Sequence, residues 1–261
     1  MYTKTLIGAF LPFAGTAIGA FFVFFIKNGI NKIFKQIISG FAAGVMIAAS
    51  VWSLLIPAME YQSSLLLGSF AFLPATLGLW CGIFFLILVN KITQKIDETA
   101  ILSKRRRSFG DNTMLFWAVT LHNLPEGMAV GVAYAAMLAF PSGETYGGAL
   151  ALSLGIAIQN IPEGAIISMP LHADGAKKSR ALLYSVLSGI IEPIGAFLTL
   201  LAISVILPLL PFLLGFAAGA MIYAVVSELA PTLCLGEQKN MGALSFGAGF
   251  SIMMALDILL G

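Results

Sequence analysis

The chain has 261 residues, 59% of them hydrophobic and only 10% charged, with a formal net charge of +2. Soluble domains carry about 25% charged residues, so a soluble enzyme or nucleic-acid-binding domain is excluded and a polytopic membrane protein remains. Two cysteines, Cys81 and Cys234, in or beside apolar segments, provide no disulfide framework and are expected to be packing residues.

Apolar runs long enough to cross a hydrocarbon core of about 30 Å occur at about 5 to 26, 37 to 57, 66 to 89, 113 to 139, 147 to 169, 182 to 206, 208 to 230 and 241 to 260. The fold class predicted is an all-α polytopic membrane protein of eight transmembrane helices, forming one domain over residues 1–261. Only Pro208 to Pro211 separate the sixth span from the seventh, where a single long hairpin is the alternative. The longest loop, about 90 to 112, is too short and polar to bury a core of its own. A cleaved signal peptide is the poorer reading of residues 1 to 25, because the apolar run exceeds a usual h-region and lacks a clear Ala-x-Ala site.

Lys and Arg collect in cytoplasmic loops. Lys27, Lys32 and Lys35 fall in loop one; Lys91, Lys95, Lys104, Arg105, Arg106 and Arg107 in loop three; Lys177, Lys178 and Arg180 in loop five; Lys239 in loop seven. Thirteen of the fourteen basic residues thus share one side, Lys4 lies on the other, and both termini are expected outside the cytoplasm of a cell (inner) membrane protein. The run from Lys104 to Arg107 reads as a topology determinant or a contact for anionic lipid.

The second and seventh spans share a sequence. Gly40-Phe41-Ala42-Ala43-Gly44-Val45-Met46-Ile47 matches Gly215-Phe216-Ala217-Ala218-Gly219-Ala220-Met221-Ile222, and Ala49, Val51 and Leu54 continue in register with Ala224, Val226 and Leu229. By the charge rule the two spans cross in opposite directions, so helices 1–3 and 6–8 are expected to be inverted repeats around a central pair, helices 4 and 5. That arrangement places a transporter's site near the midplane, at the repeat interface.

The central pair carries a second repeat: His122-Asn123-Leu124-Pro125-Glu126-Gly127 and Gln159-Asn160-Ile161-Pro162-Glu163-Gly164. A charge in an apolar span costs roughly 2.5–3.5 kcal/mol even on the lenient insertion scale, so these carboxylates need a reason to be there. Positions i, i+3 and i+4 share a helix face, which aligns His122, Asn123 and Glu126 on one helix and Gln159, Asn160 and Glu163 on the other. Each proline removes a backbone donor and crowds the carbonyl four residues earlier. Glu192, followed by Pro193, is a third polar point inside a span.

An imidazole with amides and carboxylates, and no thiolate, suits Zn²⁺, Fe²⁺ or Mn²⁺ and argues against Cu(I). Two facing carboxylates repel one another without a cation, so metal binding is expected to displace protons. Glu228 and Asp257 are assigned less firmly, as ion stations, proton relays or structural acceptors. His172, beside Asp174, reads as a solvated loop residue. Ser50, Ser53 and Ser227 are expected to bond their own backbone.

With these motifs in place, the chain resembles the ZIP family of divalent metal transporters, and most closely its prokaryotic GufA-like branch. The resemblance implies uptake of divalent transition metals, zinc first and then iron, manganese or cadmium, through a binuclear site between helices 4, 5 and 6. An elevator-like movement of one bundle against another has been proposed for the family. Carried over by position, one metal would take His122, Glu126, Gln159 and Glu163, and its neighbour Asn123, Glu126, Asn160, Glu163 and Glu192, with both central glutamates bridging. This sequence departs from the family where many members have histidine at the Gln159 position, where some have aspartate at the Asn160 position, and in a third loop without histidine.

The partners expected are divalent metal ions and the lipid bilayer, with a homodimer left open and nucleic acid excluded. Zn²⁺ or another divalent ion is cargo and no cofactor is expected. An intramembrane hydrolase is disfavoured, since there is no His-Glu-x-x-His. The stronger rival is a channel or proton-coupled carrier for another cation.

Overall fold

The computed structural model describes residues 2–25, 31–63, 70, 72–102, 110–139, 143–173, 175–202, 207–233 and 239–260. It describes no side chains at 2, 62–63, 93–102, 110–119, 121–122, 139, 143–145, 207 and 239. Lys27, Lys104 to Arg107, Asp174 and Cys234 therefore lie outside the described residues, as do the side chains of Lys95, His122 and Lys239.

The described residues fold as helices. α1 spans Tyr2–Phe21 and ends in a 3-10 turn, Phe22–Phe24. α2 comprises Lys32–Ala49, a π-helical turn Ser50–Leu55 and Ile56–Ser63. Asn31 caps its start, the side chain accepting from the Ile33 N–H at 3.1 Å. α3 spans Phe72–Leu102, α4 Gly110–Ala139 and α5 Gly143–Ala173. α6 is two half-helices, Lys178–Gly189 and Ile191–Leu201. After a 3-10 turn at Leu207–Leu209, α7 comprises Leu210–Ala224, a π-helical turn Val225–Leu229 and Ala230–Leu233. α8 spans Lys239–Leu260.

Over the described residues seven of these helices, all but α4, are long and apolar enough to cross a membrane; α4 itself runs for 30 residues. Two expectations shift. The third loop shrinks because α3 continues to Leu102, carried by strong helix formers (Lys, Gln, Glu, Ala, Leu) beyond the apolar run. α5 likewise runs to Ala173, so His172 sits in its last turn rather than in a loop, with Nδ1 2.9 Å from the Ala176 carbonyl.

The outside is apolar: Phe25, Leu201 and Leu259 are among many large side chains exposed there, as a surface facing lipid requires. Polar groups are turned inward, including Thr16, Asn123, Glu126, Gln159, Asn160 and Glu192. Cys81 corrects an expectation. It lies on the exposed side of α3, because an apolar span does not reveal which of its faces is outermost.

The segments that match in sequence also match in packing. α2 lies along α8 and α7 along α3, while α1 packs on α5 and α6 on α4. A Cβ on Gly44 would stand 2.1 Å from the Phe246 carbonyl oxygen of α8, and one on Gly219 would stand 2.0 Å from the Leu79 carbonyl oxygen of α3. Small residues let membrane helices approach to backbone contact in this way. The two π-helical turns begin at corresponding positions, Ser50 and Val225, and each ends two residues before a proline, Pro57 or Pro231. A proline cannot donate to the carbonyl four residues back, so the ladder widens ahead of it.

Candidate metal centre

Three helices carry the candidate side chains, and α1 packs against them. α4 brings Asn123 and Glu126, α5 brings Gln159, Asn160 and Glu163, and α6 brings Glu192 from the first turn after its break. The break has a local cause: Pro193 has no N–H and its ring crowds the Gly189 carbonyl, so the first half of α6 stops at Gly189. The new half-helix then presents its N-terminal dipole to the Glu192 carboxylate. α4 and α5 run continuously through Pro125 and Pro162.

The glycine after each central glutamate lets the helices close on one another. A Cβ on Gly127 would lie 2.2 Å from the Glu192 carbonyl oxygen, and one on Gly164 would lie 2.2 Å from the Thr16 carbonyl oxygen. Contact at this range brings α4 against α6 and α5 against α1. It also sets the side chains that precede each glycine at the centre of the bundle.

The amide nitrogens there are all used. Gln159 Nε2 donates to Glu126 Oε1 at 2.7 Å, Asn123 Nδ2 to Glu192 Oε1 at 2.9 Å, and Asn160 Nδ2 to the Pro12 carbonyl at 3.4 Å. Thr16 Oγ1 adds a second donor to Glu192 Oε1 at 3.1 Å. What remains is acceptors: Asn123 Oδ1, Glu126 Oε2, Gln159 Oε1, Asn160 Oδ1, Glu163 Oε1 and Glu192 Oε2 are buried with no hydrogen-bond partner. Among the described residues only the hydroxyls of Ser39 and Tyr134 share that condition.

Each orphaned buried acceptor costs about 1–3 kcal/mol. The three carboxylates are also close enough to act on one another's charge. A cation bound between the helices would answer several of these oxygens together. Among the described residues no three His, Cys, Asp or Glu side chains are grouped so as to hold a metal by themselves. Half of the free oxygens belong to amides, so the donor set is mixed, and all of it is oxygen. Such donors suit hard to borderline divalent cations.

The sequence-identified residues Asn123, Glu126, Gln159, Asn160, Glu163 and Glu192 are thus brought together. The backbone of His122 lies one turn before Glu126 on α4. Glu228, on the π-helical turn of α7, acts electrostatically on Glu163. Asp257 is held apart from this cluster, accepting from Ser53 Oγ at 2.6 Å. Ser50 and Ser227 bond the carbonyls of Met46 and Tyr223, each at 2.7 Å, as expected, and Ser53 departs by reaching across to α8. Thr16 and the Pro12 carbonyl of α1 were not singled out from the sequence. Their only signals are a hydroxyl and a mid-helix proline within an apolar run.

The pattern of one family, described as ZIP zinc transporter, matches residues 111–257. The chain is 33% identical to the zinc transporter ZIP11 of Xenopus tropicalis, over 99% of this chain and 97% of that one. It is 34% identical to the zinc transporter ZIPB of Bordetella bronchiseptica, over 98% and 81% of the two chains. It is 39% identical to the zinc transporter GufA of Myxococcus xanthus, over 55% and 54%.

Proposed function

The chain belongs to the ZIP zinc transporter family, whose members are membrane transporters and not enzymes, and from that premise we propose that it carries divalent transition metal ions, zinc first, into the cytoplasm. The observation that carries this reading is the set of six buried oxygens without partners, drawn from α4, α5 and α6. In the proposed binuclear site one ion takes His122, Glu126, Gln159 and Glu163. The second takes Asn123, Asn160 and Glu192 and shares Glu126 and Glu163. Iron, manganese and cadmium are further cargo for an oxygen-rich site of this kind.

The charge pattern puts both termini outside an inner membrane and Lys32, Lys177, Lys178 and Arg180 in the cytoplasm. A divalent ion moving inward gains about 4.6 kcal/mol per 100 mV of inside-negative potential, so inward movement needs no proton coupling. Matched packing of α2 on α8 and α7 on α3 supports reading the outer helices as inverted repeats around α4 and α5.

The test is zinc uptake into proteoliposomes, with and without an inside-negative potential, comparing wild type with Glu163→Ala. Saturable uptake that grows with the potential and is lost in Glu163→Ala is expected. Folded wild-type protein that moves no divalent metal, or a fully active Glu163→Ala, would overturn the proposal.

A further inference from the structure

We infer that Thr16 is a positioning residue for the metal centre: from α1 it fixes the carboxylate of Glu192 so that one oxygen stays free for the cargo ion. The inference rests on the metal-site reading above and extends it to a helix outside residues 111–257, the stretch matched by the family pattern.

The hydroxyls elsewhere in this bundle supply a baseline. Ser50, Thr76, Ser153 and Thr199 each donate to the carbonyl four residues back at 2.7–2.9 Å, the usual fate of a hydroxyl on an apolar helix. For Thr16 that bond is stretched to 3.5 Å, whereas Glu192 Oε1 lies at 3.1 Å. A hydroxyl has one proton to give, and a carboxylate acceptor is stronger than a neutral carbonyl. The proton therefore goes to Glu192.

Thr16 cannot swing away from this task. Its side chain is fully buried, with its Cβ 2.9 Å from where a Cβ on Gly189 would stand, and its carbonyl oxygen 2.2 Å from the corresponding point on Gly164. The same turn of α1 acts on a second site residue. The Pro12 carbonyl, four residues back on the same helix, accepts from Asn160 Nδ2 at 3.4 Å. On Glu192, Oε1 is occupied by Thr16 and Asn123, and Oε2 is the unpartnered atom. On Asn160, Oδ1 is unpartnered. In both cases the outer contact selects which oxygen faces the centre.

The test is zinc binding by the purified full chain in detergent, followed by titration calorimetry, with the metal-free melting temperature measured in parallel. Thr16→Val and Thr16→Ala, which lack the hydroxyl, are expected to bind zinc ~10-fold to 100-fold more weakly, the range for partners that orient metal ligands. Thr16→Cys, with its weak donor, is expected to follow them and stands in if either fails to fold. Thr16→Ser is expected to restore affinity.

Wild-type affinity in the hydroxyl-free variants, with affinity lost in Glu163→Ala, would overturn the role of Thr16 and leave the site standing. Unchanged affinity in Glu163→Ala as well would remove the site itself. A Thr16→Ser variant as weak as Thr16→Ala, with the metal-free melting temperature falling in step, would make Thr16 a packing residue and overturn the inference.

Discussion

Gly127→Ala tests the link between helix packing and metal binding. The added Cβ would stand 2.2 Å from the Glu192 carbonyl oxygen and 2.6 Å from the Glu192 Cα, where ordinary contact begins at 3.4 Å. The obstacle is backbone, so no side chain can rotate out of the way, and α4 and α6 must part by about 1.2 Å at this point. Overpacking of this kind costs about 1–3 kcal/mol, which in a domain of this size corresponds to a melting temperature lower by roughly 2–10 °C. The functional effect is sharper, because coordination distances tolerate only about 0.2 Å and Glu126 and Glu192 sit on the two helices forced apart. Zinc affinity should fall by ~10-fold or more. Gly148→Ala is the control: nothing lies within 4 Å of its added Cβ, and helix propensity alone should stabilise it slightly. Thermal melting and zinc titration of the three proteins decide the matter. A Gly127→Ala protein that melts like Gly148→Ala and binds zinc like wild type would refute the close-approach argument.

Gln159→Leu removes both the 2.7 Å donor to Glu126 and one free oxygen, and should weaken zinc binding by ~10–100-fold while the protein remains folded; calorimetry reads the change. Ser53→Ala strips Asp257 of its 2.6 Å donor and should lower stability by about 1–3 kcal/mol, visible as an earlier melt. Cys81→Ser should leave zinc binding and uptake unchanged, because the thiol is exposed on α3; loss of either would show that a sulfur ligand had been overlooked.

Hydropathy made the spans legible, since a run of some twenty apolar residues has few other uses. It left their ends uncertain where polar helix formers continue the helix, as α3 does to Leu102. The candidate cluster was legible because i, i+3 and i+4 spacing puts Asn123 with Glu126, and Gln159 and Asn160 with Glu163, on shared helix faces. The break in α6 was foreshadowed by Pro193, which cannot continue the ladder. Thr16 was hidden for the opposite reason: a single hydroxyl on an apolar helix normally satisfies itself on its own carbonyl, and only the stretched 3.5 Å contact to Pro12 reveals another partner. The interhelical bond from Ser53 to Asp257 was hidden in the same way, because residues 204 positions apart have no shared periodicity. Cys81 shows a further limit of pattern reading, since the side of a membrane helix that faces lipid is as apolar as the side that packs.

The central claim is that the six free oxygens receive the cargo ion. X-ray absorption at the zinc edge of zinc-loaded protein tests it most directly. The account predicts a first shell dominated by oxygen at about 2.0–2.2 Å, with at most one imidazole per zinc and no sulfur. A shell containing sulfur at about 2.3 Å, or several imidazoles, would contradict it.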